Sequence, residues 1–208
     1  ETHCQPCPAG TFKNVSGNHK CTRCPDFASS PAGAGDVTQC LCTLGYTGPN
    51  GAPCTMCAAG QFKNTTGSAP CTSCPSHATS RPNATTITAC QCLPGYTGDD
   101  GGLCTACGAG TYKNALGNAS CLYCGPNATS HIGATDGANC SCVAGFTLNI
   151  FAEVVDSQDI ECRRCPIGTF KNASGNHACR ACPENSTSSP GAYPVSYTHL
   201  TLPTTRCG

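Results

Sequence analysis

The chain carries 23 cysteines in 208 residues but only 6 Phe, 6 Tyr, one Met and no Trp, so a large apolar core is excluded and a cystine-stapled scaffold is indicated. Charged residues make up 11% of it, and 11 basic and 11 acidic side chains cancel, which leaves no electrostatic footprint for nucleic acid or anionic lipid. No apolar run is long enough for a membrane span, and the opening Glu1-Thr2-His3-Cys4 lacks a basic-apolar leader, as expected of a mature or internal fragment.

Residues 1–53 form the first unit of a repeat, with cysteines at 4, 7, 21, 24, 40 and 42. The second unit, 54–103, returns them fifty residues later at 54, 57, 71, 74, 90 and 92. Residues 104–161 form the third, with cysteines at 104, 107, 121, 124, 140 and 142 and a loop insertion over 146–161. A partial fourth unit, 162–194, holds Cys162, Cys165, Cys179 and Cys182. Other positions recur in step: Gly10-Thr11-Phe12-Lys13-Asn14 as Gly60-Gln61-Phe62-Lys63-Asn64, Gly110-Thr111-Tyr112-Lys113-Asn114 and Gly168-Thr169-Phe170-Lys171-Asn172. Gly45-Tyr46-Thr47-Gly48 recurs as Gly95-Tyr96-Thr97-Gly98 and, more weakly, as Gly145-Phe146. Such periodicity defines a tandem-repeat protein.

No segment keeps an apolar helical period and Gly or Pro interrupts each short stretch, so every unit is expected to consist of short strands and turns. So few aromatics per unit, between two and four, cannot stabilise fifty residues by burial alone. Zinc bound by paired Cys-x-x-Cys motifs is the rival staple. Disulfides are favoured because a Cys-x-Cys pair per unit would be left over, few basic residues flank the thiols, and glycosylation sequons are dense. Those expected to carry glycan are Asn14, Asn64, Asn83, Asn118, Asn127, Asn172 and Asn185, with N-linked and O-linked glycans as covalent partners. Asn139 is the weakest sequon, being followed by Cys140.

The unit Cys4-Gln5-Pro6-Cys7-Pro8-Ala9-Gly10-Thr11-Phe12-Lys13, continued by Cys21-Thr22-Arg23-Cys24-Pro25 and Cys40-Leu41-Cys42-Thr43-Leu44-Gly45-Tyr46, resembles the EGF-like, ephrin-receptor-like (GCC2/GCC3) cysteine-rich repeat of extracellular surface proteins. Such repeats occur in tandem in large surface proteins of protists and algae and look distantly like tumour-necrosis-factor-receptor repeats. The resemblance implies a small disulfide-rich fold, tandem EGF-like repeats with short β-strands and turns in an elongated rod, and an extracellular, secreted or cell-surface location.

With the EGF-like order it implies Cys7–Cys24, Cys21–Cys40 and Cys42–Cys54. The later units would pair Cys57–Cys74, Cys71–Cys90, Cys92–Cys104, Cys107–Cys124, Cys121–Cys140, Cys142–Cys162 and Cys165–Cys182. A receptor-repeat order would instead join neighbours, Cys7 to Cys21 and Cys24 to Cys40, and both orders keep Cys42–Cys54. A bridge of that length contributes about 3 kcal/mol. In this tiling Cys4 is left over, as expected if a preceding unit is truncated, the alternative being a cross-link from Cys4 to another subunit. Cys207 is available to Cys179 if the atypical tail 195–208, which looks like translated cloning adapter, is native.

The insertion concentrates Leu148, Ile150, Phe151, Val154 and Val155, expected to be a contact between subunits, with an alternative in which they fold back on their own unit. Gln5-Pro6 before Cys7 supports no calcium site, so no metal and no cofactor are expected. Neither Gly-x-Ser-x-Gly nor His-Glu-x-x-His occurs, the histidines are expected in solvent, and no enzyme is expected. Two roles remain. Regularity favours a structural glycoprotein self-associating into a surface coat, flagellar-hair-like filament or adhesive fibre; the alternative is a ligand-binding or adhesion ectodomain of a receptor.

Overall fold

A computed structural model describes residues 4–149, 160–184 and 186–193. Its contacts divide the chain into two compact units, Glu1–Leu93 with Gly98–Cys104, and Pro94–Thr97 with Thr105–Gly208. Each is a small disulfide-rich body of two-stranded antiparallel ribbons, and no α-helix occurs among the described residues.

The repeat builds three such ribbons. In the first, Thr11–Phe12 faces Thr22–Arg23 with Phe12 opposite Thr22; in the second, Ala28–Ser29 faces Leu41–Cys42. The third, Tyr46–Thr47 against Thr55–Met56, joins the end of one repeat to the start of the next. The later repeats reproduce the set, from Gln61–Phe62 with Thr72–Ser73 to Thr169–Phe170 with Arg180–Ala181. Two-residue strands are what Gly- and Pro-broken sequence allows, and alone they are too short to persist. Cystines and side-chain bonds to the backbone hold them. Ser80 Oγ donates to the Gln61 carbonyl at 2.9 Å, and Ser30, Ser130 and Ser188 do the same to Thr11, Thr111 and Thr169 at 2.8, 2.8 and 2.7 Å. In the first three repeats a short 3-10 turn precedes the second strand of the second ribbon. At Val37–Gln39 it carries a capping box in which the Asp36 carboxylate accepts from Thr38 N–H at 2.8 Å, whereas Thr86 before Ile87–Ala89 makes no such bond.

Burial follows the cystines. Cys40, Cys42, Cys90 and Cys92 are wholly inaccessible, and Phe62, Tyr112, Ala84 and Ala134 are the main non-cystine core residues. The aromatic and the alanine meet through a parallel bridge, Phe62 to Ala84 and Tyr112 to Ala134.

Neighbours pair in the first two bridges of the first three repeats and in the first bridge of the fourth, as the receptor-repeat order has it: Cys7–Cys21 and Cys24–Cys40, then Cys57–Cys71, Cys74–Cys90, Cys107–Cys121, Cys124–Cys140 and Cys165–Cys179. This corrects the EGF-like order. Cys7–Cys24, Cys21–Cys40, Cys57–Cys74, Cys71–Cys90, Cys107–Cys124, Cys121–Cys140 and Cys165–Cys182 do not form. The reason lies in the ribbons: the first folds residues 7–23 back on themselves, bringing Cys21 within 5.8 Å of Cys7 by Cα, inside bridging range. Cys24 passes to the second ribbon, which Cys40 immediately precedes. The inter-repeat bridges Cys42–Cys54, Cys92–Cys104 and Cys142–Cys162 form as both orders require. Cys182 is oxidised too, and Cys179 is committed to Cys165 rather than to Cys207, which lies outside the described residues. Cys4 is a free, exposed thiol.

Candidate functional site

The most constrained chemistry lies where one repeat enters the next. In the first unit Gly45 adopts φ +75°, and a Cβ there would approach the Asn83 carbonyl to 2.8 Å, so only glycine brings the hairpin this close. Gly45 N–H donates to the Lys63 carbonyl at 2.9 Å, Cys57 N–H to the Gly45 carbonyl at 2.8 Å, and Gly67 N–H to the Cys42 carbonyl at 2.8 Å. Over this lattice folds the Lys63 side chain, 2% exposed. Its ammonium donates to the carbonyls of Tyr46 at 2.8 Å and Gly67 at 2.7 Å. Its hydrogen-bond partners are all carbonyl dipoles, and burial lowers its pKa from the ordinary lysine value.

The second unit repeats the clamp twice. Gly95 N–H donates to Lys113 C=O at 2.8 Å, while Lys113 Nζ donates to Tyr96 and Gly117 at 2.7 and 2.6 Å. Gly145 N–H donates to Lys171 C=O at 2.9 Å, and Lys171 Nζ reaches the carbonyls of Phe146 at 2.7 Å, Cys142 at 3.3 Å and Gly175. Burial lowers the Lys171 pKa as well. Sequence reasoning missed these lysines as clamp elements. Their signal was a lysine after the aromatic in all four repeats, at 13, 63, 113 and 171.

The face beside the first clamp is apolar. Phe27 stacks on Tyr46 with centroids 4.3 Å apart and planes 7° from parallel, and Met56 stands across the ribbon from Tyr46. Phe27 and Met56 are each more than half exposed. Their counterparts are His77 and Ala106, then Asn127 and Arg164, so the apolar combination occurs once.

Of the sequon residues, Asn14, Asn64, Asn83, Asn118, Asn127 and Asn172 are exposed, and Asn185 lies outside the described residues. Asn139 is occupied as the partner of Asp136 in a capping box. Leu148 pairs with Cys162 across a ribbon and, with Phe146 and Ile160, packs on its own repeat's core; Ile150, Phe151, Val154 and Val155 lie outside the described residues. His19, His77, His131 and His177 are exposed.

The family model described as tyrosine-protein kinase ephrin type A/B receptor-like matches residues 1–40, 45–90, 95–140 and 153–196. Human ephrin type-B receptor 4 is 43% identical over 58 residues, which are 26% of this chain and 6% of that receptor. The chain therefore corresponds to a small part of that receptor's length, and the relative is a human receptor rather than a protist or algal surface protein. Four cystine-rich repeats of this kind place the chain outside the cell or at its surface.

Proposed function

The chain belongs to the family of ephrin-receptor-like cysteine-rich repeats, and from this we propose that it is part of the ectodomain of a cell-surface receptor or adhesion protein, a non-catalytic module that contacts a protein ligand. The match of four successive repeats to this family carries the reading. It favours the ectodomain over the coat or filament, for which regularity was the argument. Ligand contact is assigned to the Phe27, Tyr46 and Met56 face, because exposed, stacked aromatics supply large contact area at little entropic cost. Glycans at Asn14, Asn64, Asn83, Asn118, Asn127 and Asn172 fit the same setting, since each side chain is exposed.

The test uses the oxidised chain, fluorescently labelled, on intact cells. Saturable binding, competed by unlabelled chain and lost in the Phe27→Asn, Met56→Ala double variant, is the expected result. Both replacements place side chains that equivalent positions already carry, Asn127 and Ala106, so the fold is retained. Filaments with a regular axial repeat in electron micrographs of native material, without cell binding, would overturn the reading.

A further inference from the structure

The third repeat carries a sequon asparagine where the first carries its exposed aromatic. Phe27 and Asn127 occupy equivalent turns, with φ 58° and 59°, a left-handed backbone that asparagine adopts more readily than an aromatic does. The same bonds hold both turns. Thr43 N–H donates to the Phe27 carbonyl at 3.0 Å and Val143 N–H to the Asn127 carbonyl at 2.9 Å. Tyr46 N–H then donates to the Thr43 carbonyl and Phe146 N–H to that of Val143, each at 3.1 Å. The ribbons that follow keep one register, Ala28 opposite Cys42 and Ala128 opposite Cys142. In the first repeat this backbone lays the Phe27 ring parallel to Tyr46, with centroids 4.3 Å apart. With dihedrals, bonds and register preserved, the Asn127 side chain leaves the third repeat on the side of Phe146.

Asn127 is exposed, and its carboxamide has no hydrogen-bond partner among the described residues. The Asn139 carboxamide, by contrast, is taken up in a capping box, and that of Asn83, the other left-handed sequon residue, lies over Gly45. Phe146 packs on its own repeat's core but is only half-buried, and the methylene stem of Arg164, opposite it in the ribbon, runs along Gly191. We propose that the N-linked glycan of Asn127 is held against the protein, its first N-acetylglucosamine lying on the ring of Phe146 as Phe27 lies on Tyr46. One face of a pyranose is a patch of C–H groups, which suits the electron-rich face of an aromatic ring and removes apolar surface from water. This rests on the occupancy of Asn127 given under the proposed function and adds a fixed sugar to it. Its consequence is that carbohydrate covers in the third repeat the surface that the first repeat offers to a ligand.

The test uses the full oxidised chain secreted from eukaryotic cells on isotope-labelled sugar, with each N-glycan trimmed by an endoglycosidase to its first N-acetylglucosamine. Glycopeptide mass spectrometry reads the occupancy of Asn127 and NMR reads the surroundings of its sugar. Thr129→Val removes the sequon while keeping a β-branched residue in the strand Ala128–Thr129, and so identifies the Asn127 sugar signals. The expected result is sugar protons displaced upfield of those at the other sites by the ring current of Phe146. The displacement is expected to persist in Phe146→Tyr, the residue type at positions 46 and 96, and to vanish in Phe146→Leu. An unglycosylated Asn127 would overturn both the occupancy and the stacking. An occupied Asn127 whose sugar resonates with the others in the unsubstituted chain would overturn the stacking alone, a result that depends on no variant folding.

Discussion

The ammonium of Lys63 lies 2.8 Å from the carbonyl oxygen of Tyr46, which belongs to the preceding repeat. A charge thus bridges two repeats through backbone dipoles alone. Charged donors make hydrogen bonds of about 1.5–3 kcal/mol, and truncation also strands buried carbonyls. Lys63→Met is therefore expected to destabilise the oxidised chain by about 3 kcal/mol in urea unfolding, whereas Lys13→Met, which removes an ammonium that meets only the Gly17 carbonyl among the described residues, is expected to cost about 0.5 kcal/mol or less. Equal losses for both would contradict the clamp.

Gly95 makes the corresponding steric prediction. Its φ is +81°, and an added Cβ would lie 2.4 Å from the Gly133 carbonyl oxygen. Gly95→Ala combines a left-handed backbone penalty with overpacking, together about 3 kcal/mol. Calorimetry should show a lowered unfolding midpoint, and Gly108→Ala, where nothing lies within 4 Å, provides the unstrained control.

The capping box at Asp36 predicts a local pH effect. Asp36 has its pKa lowered below the ordinary carboxylate value because the Thr38 hydroxyl and then the Thr38 N–H donate to it. A lowered folded pKa means the cap contributes fully above the unfolded carboxylate pKa and is lost as pH falls through the folded one. An acid titration by NMR should move the Thr38 amide in that range. The Thr88 amide should stay put, because Thr86 makes no side-chain cap.

Removing a bridge tests whether hydrogen bonds alone hold the hairpin. Replacing Cys92 and Cys104 together by serine opens a closed loop with a cysteine separation of 12 residues and is expected to cost about 3 kcal/mol. The amides of Gly95 and Cys107 should then exchange faster, since the bonds they donate, at 2.8 Å each, lose their covalent backing.

The period and the ribbon-and-turn character were legible because they depend on cysteine spacing and on breaker residues, and the bridge from Cys42 to Cys54 because both pairing orders that the family resemblance implies contain it. Its equivalents Cys92–Cys104 and Cys142–Cys162 were legible on the same ground, but the choice between two orders for the bridges within a repeat was not. Cys21 and Cys24 both close acceptable loops with Cys7, and only the register that sets Phe12 opposite Thr22 selects Cys21. Lys63 showed itself as a repeated letter, but its partners are carbonyls, which no side-chain pattern announces. Phe27 eluded reading for a conformational reason: it takes φ 58°, rare for an aromatic, and this turns its ring onto Tyr46. The density of apolar residues around Leu148 was plain, yet the strand partner Cys162 that draws Leu148 onto its own core lies beyond the insertion.

Because Tyr46–Thr47 pairs with Thr55–Met56, the natural seam for splicing these repeats does not coincide with the cysteine period. A chimera joined at residue 53 divides a ribbon between donor and recipient. Cassettes exchanged near Pro31 and Arg81, in exposed loops midway through successive repeats, keep the inter-repeat hairpin, the lysine and the bridging pair together and divide instead the Ala28–Ser29 ribbon and the Cys24–Cys40 bridge, which lie within one repeat. Arrays of new length or order can thus be assembled from blocks whose ends are out of phase with the visible repeat.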